Sequence, residues 1–324
     1  MRAARCKAVG GPVVVEDVPE PPFPDPEFTE EEDGGIPVDV HYAAVNFADV
    51  LVIDGAYQVK AEPPFTPGSE FAGVVAASAH GFEKGDRVFG SMFVGAFAER
   101  VTARPAGLSR IPEGIPTERA AAFGVSHATA FDALRLVADV RPGERVAVLG
   151  AAGGVGLATV ELAALLGAEV VAVASTEEKR TVCAEQGARV TLPYDDLKQA
   201  LRDAGGADVV IDPVGGAYAE EALRAMRWGG RFVSVGFASG EIPRIPLNLP
   251  MLKGVSVHGF DLGGWARHQR DDLVAARTEL HGLFAAGKIK PRVHAVYPLA
   301  EVAAALALGR RAIGKVLLEV AHGV

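Results

Sequence analysis

The stretch Val146-Ala147-Val148-Leu149-Gly150-Ala151-Ala152-Gly153-Gly154-Val155-Gly156 is an apolar run that breaks into glycine and leads straight into an amphipathic helical pattern. A strand that turns through glycines into a helix leaves the first N–H groups of that helix without acceptors, and the helix dipole adds positive potential at the same place. The combination is a cradle for phosphate. Gly153 would let the backbone approach a pyrophosphate and Gly156 would let the helix pack on its strand, with Ala152, Gly154 and Val155 completing the turn. Ala151 stands where the G-x-G-x-x-G fingerprint has its first glycine.

The surroundings repeat the same rhythm. Strands are predicted over 145–150, 169–174, 189–192, 208–212, 231–236 and 255–260, and helices over 155–166, 177–186, 196–203 and 217–226. Near-continuous apolar strands alternating with helices imply a parallel sheet covered on both faces, and six of them fit a doubly wound Rossmann dinucleotide fold. A long helical pattern over 118–137 precedes them. Before it, short β-type runs at 13–15, 38–43, 71–75 and 86–90 are punctuated by turn residues, as in an antiparallel β domain. The acidic segment 27–33 reads as a solvated loop. After residue 265 a helix over 271–286, a strand over 293–297, a helix over 299–308 and a strand over 315–320 lack the parallel-sheet rhythm. The expectation is an α/β protein in which a nucleotide domain, 119–264, is inserted into a mainly β domain formed by 1–118 and 265–324.

The length of 324 residues agrees with two domains at ~150 residues each. A net charge of −9, from 32 Lys and Arg against 41 Asp and Glu, argues against a surface that grips nucleic acid or anionic membrane. Cys6 and Cys183 cannot build a disulfide framework and suit a reducing cytosol. The first residues lack the apolar core of a signal peptide, and the uncharged run 146–160 is too short and glycine-rich to span a bilayer. A soluble, cytoplasmic protein is expected.

The choice of dinucleotide is read at the end of the second strand, where an acidic residue would bind a ribose 2′-hydroxyl. Here the strand ends on Ser175, with Lys179 and Arg180 one helical turn on. A hydroxyl with nearby cations suits a 2′-phosphate, so NADPH is favoured. Glu177 or Glu178 would take the acidic role instead if the strand ended two residues later.

Several motifs together carry a resemblance. They are Asn46-Phe47-Ala48-Asp49, Asp54-Gly55-Ala56-Tyr57, Pro67-Gly68-Ser69-Glu70, Gly85-Asp86-Arg87-Val88, the glycine turn, Asp212-Pro213-Val214-Gly215-Gly216 and Gly314-Lys315-Val316. The chain resembles, over essentially its full length, the zinc-free medium-chain dehydrogenases/reductases, and among them the NADPH:quinone oxidoreductases that include zeta-crystallin. The resemblance implies a GroES-like β domain beside the Rossmann domain, and a homodimer formed through the edge of the inserted sheet. It places Tyr194 with Lys179 near the 2′-phosphate, and the strand ends around Gly236, Phe237 and Phe260 along the nicotinamide. Asn46, Tyr57 and Thr129 match positions near nicotinamide and substrate.

Ser69 stands where zinc-dependent relatives have a histidine ligand. Two cysteines cannot make a Cys₄ site, and the eight histidines are scattered, so no metal is expected. His127, just before Thr129, reads as a structural or pocket-wall histidine. Without a Lewis acid, the easiest reaction is hydride transfer from NADPH to an electron-poor acceptor, with Tyr57 donating to the developing oxyanion and Asn46 as an orienting amide. A quinone is the leading acceptor. The alternatives are an enone or an enoyl thioester, for which Arg267, His268 and Arg270 would meet a carrier phosphate, or an NADPH-binding protein without catalysis.

Overall fold

The structure is a computed structural model that describes residues 1–21 and 35–321, the side chains of Arg267 and Arg270 apart. The acidic segment 27–33 lies outside the described residues. The chain divides into two compact units, one of Met1–Val125 with Lys290–Val324, the other of Ser126–Ile289.

The first unit begins with β1 (Arg2–Cys6) and β2 (Val13–Asp17), an antiparallel pair. It continues with β3 (Ile36–Val45), α1 (Phe47–Ile53), β4 (Glu70–Val75), β5 (Arg87–Ser91), β6 (Arg100–Ala103), β7 (Leu108–Arg110) and α2 (Thr117–Ala121). In β3 the alternation Val38, Val40 against Asp39, His41 sends one set of side chains into a core with Ile36, Phe71 and Phe97.

In the second unit α3 (Gly124–Asp132) leads into a π-type turn over Ala133–Val137, so the single helix expected over 118–137 is three elements. The alternating part is β8 (Arg145–Val148), α4 (Gly154–Leu165), β9 (Glu169–Val173), α5 (Glu177–Glu185), β10 (Val190–Leu192), α6 (Leu197–Asp203), β11 (Ala207–Asp212), α7 (Ala217–Ala225), β12 (Met226–Ser234), α8 (Asn248–Lys253) and β13 (Ser256–Gly259). All six strands are parallel in the order β10-β9-β8-β11-β12-β13, the doubly wound arrangement that the sequence rhythm implies. The order reverses beside β8, which puts the glycine turn at the topological switch point, where such sheets bind ligands.

Helices α9 (Leu262–His268) and α10 (Arg270–Ala285) follow, and they belong to this unit rather than to the β domain. Leu273, Ala276, Leu280 and Phe284 of α10 are buried, and one polar tie stands out. The Arg277 guanidinium of α10 makes two hydrogen bonds, at 3.0 and 2.6 Å, to the wholly buried Asp132 carboxylate at the end of α3. The unit boundaries therefore fall at 125/126 and 289/290, whereas the sequence placed them at 118/119 and 264/265. The first unit closes with β14 (Val293–Pro298), α11 (Val302–Gly309) and β15 (Lys315–Glu319). Strand β15 pairs antiparallel with β3 and parallel with β14 in a seven-stranded sheet.

Candidate functional site

In the second unit, β8 runs into Gly150, whose φ of +60° turns the chain, and Gly153 caps α4. The glycines at the turn answer to different demands. A Cβ on Gly156 would stand 2.1 Å from the Gly150 carbonyl oxygen, so the fold itself requires glycine there. Gly153 has an ordinary φ of −73°, and a Cβ on it would meet only the Gly150 oxygen, at 3.4 Å. Nothing in the fold forbids a side chain at 153, so an open backbone there serves the space in front of the helix. As cap residue Gly153 offers no side chain to the first-turn N–H groups of Gly154, Val155 and Gly156, which a pyrophosphate would satisfy. The residues present thus fit a dinucleotide.

Tyr194 meets this turn from the segment after β10. Its hydroxyl accepts a 2.7 Å hydrogen bond from the Gly150 N–H, and its ring packs on Tyr218 at 4.3 Å. Burial pushes the phenol up to about 12, so it is neutral and keeps its own hydrogen to donate. At the end of β9, Ser175 is exposed and Thr176 caps α5 by accepting from Lys179 N at 3.2 Å. Arg180 is held by Glu177 at 2.6 Å and by the Ala174 carbonyl at 3.2 Å, whereas the half-buried Lys179 side chain stands one residue earlier. Gly236 and the exposed Phe237 follow β12, and Phe260 is buried against Trp265 after β13. Thr129 is half-buried on α3. His127 is buried on the same helix, 3.2 Å from Glu161 of α4.

Asp212, at the end of β11, carried no assigned role in the sequence. Its Oδ1 accepts from the Val214 and Gly215 N–H groups at 2.8 and 2.9 Å, while its buried Oδ2 has no hydrogen-bond partner among the described residues. Burial raises its pKa, and the two backbone donors lower it.

In the first unit the chemistry gathers around Asn46, the N-cap of α1. Lys315 Nζ donates to Asn46 Oδ1 at 2.6 Å and to Glu70 Oε2 at 2.9 Å. Lysine only donates, so the amide oxygen faces it and the amide NH₂ faces the other way. That NH₂ donates to Glu70 Oε2 at 3.2 Å and Ser69 Oγ at 3.3 Å, with a longer contact to the Ala44 carbonyl. The backbone N–H of Asn46 donates to Asp49 Oδ2 at 2.7 Å, and the Ser69 hydroxyl donates to the same carboxylate. Burial pushes Asp49 up to about 6, against the lowering effects of Ser69, the Asn46 N–H and Lys315. The Asn46 amide is therefore engaged on both sides within the unit. Tyr57 is half-buried on the core beyond the far end of α1, about 10 Å of helix from Asn46.

The comparisons agree with both units. The alcohol dehydrogenase GroES-like domain family matches residues 32–113, and the zinc-binding dehydrogenase family matches residues 154–277. Quinone oxidoreductase-like protein 2 of Bos taurus is 38% identical over 98% of this chain and 92% of its own. Human quinone oxidoreductase is 32% identical over 98% and 97%. This chain belongs to the quinone oxidoreductase family. Among solved structures, the quinone oxidoreductase of Thermus thermophilus, also determined as its NADPH complex, is 35% identical with a TM-score of 0.84 over 99% of this chain and 100% of that one.

This quinone oxidoreductase family member departs from what the name of the matching zinc-binding family suggests. Zinc needs a set of thiolate, imidazole or carboxylate ligands. Among the described residues no group of three or more His, Cys, Asp and Glu could hold a metal ion. Cys6 and Cys183 are both buried, one in each unit, and the neighbouring carboxylates Asp49 and Glu70 already face the Lys315 ammonium. The donor set does not fit zinc. Among the described residues no helix is long and apolar enough to cross a membrane.

Proposed function

We propose that this protein is an NADPH-dependent oxidoreductase that reduces quinones without a metal. The observation that carries the reading is the contrast within the glycine turn, where Gly156 is demanded by packing and Gly153 is left open in front of uncapped helix N–H groups. Ala152, Gly153, Gly154, Val155 and Gly156 would hold the pyrophosphate. Ser175, Lys179 and the hydroxyl hydrogen of Tyr194 would meet the 2′-phosphate. Arg180 would add its field from within the Glu177 pair. Thr129, Gly236, Phe237 and Phe260 would line the nicotinamide. When bound, the reduced nicotinamide supplies a hydride.

The acceptor is read as a quinone because relatives that share this chain nearly end to end carry that name, and because a quinone spreads the incoming charge over its ring. Tyr57 would donate a hydrogen bond to the oxygen on which charge develops. Asn46 orients this region from within, through its ties to Lys315, Glu70 and Ser69. Two buried free thiols accord with work in a reducing compartment such as the cytoplasm. The exposed edge of β13, beside the exposed Trp228, Leu247, Met251 and Leu252, supports a homodimer built by joining that edge to its copy.

The test is NADPH oxidation against 1,4-naphthoquinone, a simple enone and an enoyl-CoA. Turnover of the quinone is expected, with NADPH preferred over NADH and the preference lost in a Lys179→Ala/Tyr194→Ala double variant. Turnover of the thioester alone would replace the quinone reading, and NADPH binding without turnover of any acceptor would replace catalysis by binding.

A further inference from the structure

Two neighbouring cations at the start of α5 are held in different ways. The Lys179 side chain is half-buried and makes no ion pair among the described residues. The Arg180 guanidinium donates in two directions, to the Glu177 carboxylate at 2.6 Å and to the Ala174 carbonyl at 3.2 Å. The Arg180 side chain is 19% exposed against 84% for Glu177, so the arginine is the fixed partner and the glutamate is drawn to it. The helix start does not need that glutamate as a cap, because the Thr176 hydroxyl already accepts from the Lys179 N–H at 3.2 Å. Nor does a pair three residues apart on an exposed helix face add much stability. What distinguishes the pair is its place. Ala174 and Ser175 are where β9 hands over to α5, the point at which an acidic side chain accepts a ribose 2′-hydroxyl and repels a 2′-phosphate. Glu177 stands two residues beyond Ser175, and a guanidinium anchored at the strand end cancels its charge.

We propose that Arg180 sets the dinucleotide preference without touching the phosphate, as a positioning residue that holds and neutralises Glu177. Lys179 is then the cation that meets the 2′-phosphate directly. The inference rests on the placing of that phosphate at Ser175, Lys179 and Tyr194, and it gives Arg180 a task that its ion pair allows. A guanidinium already engaged on a carboxylate and a carbonyl has little left to offer a second anion, whereas its fork is well shaped to hold both at once. The charges then add simply. The Glu177–Arg180 pair sums to zero, so a 2′-phosphate meets the single positive charge of Lys179. With Arg180 removed, the released carboxylate cancels Lys179 instead. One unit of charge facing a phosphate of nearly two, across several ångströms of a water-like dielectric, changes affinity on the order of tenfold. NADH carries no 2′-phosphate and is spared that repulsion, and its ribose hydroxyls are groups that a released Glu177 can accept.

Calorimetric titration of the full chain with NADPH and with NADH tests this, at low salt and again in about 0.5 M salt. Arg180→Ala should bind NADPH about tenfold more weakly at low salt and NADH no more weakly, with the loss shrinking as salt rises. Glu177→Gln should bind NADPH more tightly than the wild type, because Arg180 is then unpaired. The decisive variant is Arg180→Ala/Glu177→Gln, in which the local charge is again zero; it should return NADPH to within about twofold of the wild type. Arg180→Lys keeps the charge and should keep most of the preference. A double variant as weak as Arg180→Ala overturns the proposal, since Arg180 would then meet the phosphate itself. So does an Arg180→Ala protein that loses NADH and NADPH in equal measure, which marks a structural role. Glu178→Gln is the control for overall charge, and a gain there equal to that of Glu177→Gln overturns the pairing argument as well. Lys179→Ala separates this inference from the site reading beneath it. A preference for NADPH that survives Lys179→Ala puts the phosphate elsewhere and removes both. A preference lost in Lys179→Ala, beside a double variant that does not recover, removes only the role of Arg180.

Discussion

Lys315 Nζ lies 2.6 Å from Asn46 Oδ1, although 269 residues separate them along the chain. The C-terminal strand β15 thus carries, into the middle of the first unit, the one ammonium that balances Glu70. Removing one partner of such a buried pair leaves the other charge without compensation, at about 3–5 kcal/mol. Lys315→Met should therefore lower stability by roughly 3 kcal/mol in urea unfolding. The double variant Lys315→Met/Glu70→Gln should be more stable than Lys315→Met alone, because it no longer buries an unpaired carboxylate. Equal stability of the two variants would show that Glu70 does not depend on the ammonium.

The glycine turn makes two opposite predictions from neighbouring positions. Gly156→Ala forces a Cβ to 2.1 Å from the Gly150 oxygen, so it should lower the melting temperature sharply and prevent nucleotide binding as a consequence. Gly153→Ala meets its nearest atom at 3.4 Å and should melt close to the wild type, yet bind NADPH at least tenfold more weakly. Calorimetric titration beside a thermal melt separates the two. Full NADPH affinity in Gly153→Ala would remove the pyrophosphate from that face.

The second unit was legible because its strands are buried on both faces, and double burial writes uninterrupted apolar runs such as Val170-Val171-Ala172-Val173. The sequence groups the helix over 271–286 with the β domain, whereas the structure groups it with the second unit, where Leu273, Ala276, Leu280 and Phe284 are buried and Arg277 bonds Asp132; periodicity shows that a helix has a buried face, not which unit that face covers. The candidate site divides in the same way. Backbone features such as Gly153 and Gly156 announce themselves by spacing. The Asn46 cluster joins residues from α1, β4 and β15, which only the folded sheet brings together. Two local signals pointed at it, Asp49 three places after a capping asparagine and a lysine inside the apolar strand Lys315-Val316-Leu317-Leu318, where a charge must find a partner. Asp212 gave no comparable sign, since an aspartate after a strand is an ordinary turn residue.

The edge of β13 gives a prediction about assembly. Trp228 and Leu247 are 79 and 84% exposed beside a strand whose outer side has no partner among the described residues. Exposed apolar groups next to an open edge are the usual material of a strand-paired interface. The wild type should sediment as a dimer, and a Trp228→Glu/Leu252→Glu variant as a monomer with its NADPH affinity retained. A wild type that sediments as a monomer at micromolar concentration would rule the interface out.

Asp49 also ties stability to pH, with a sign opposite to that of an ordinary salt-bridged carboxylate. Its pKa is pushed up by burial from 3.8 to about 6, so the folded protein holds this proton more tightly than the unfolded chain does. The stabilising contribution is complete below about pH 4 and is lost as pH rises through about 6, after which it stays constant. Asp49→Asn keeps an acceptor for the Asn46 N–H and for Ser69 but has no proton to lose. The difference in unfolding free energy, wild type minus Asp49→Asn, should therefore fall by on the order of 2–3 kcal/mol between pH 4 and 6 and level off above that. Carboxylates common to both proteins cancel in the difference, which isolates Asp49 from the Asp132 carboxyl that burial also raises. Urea unfolding at intervals between pH 4 and 8 measures it. A difference that rises with pH over that window would mean that Asp49 is held ionised by Lys315.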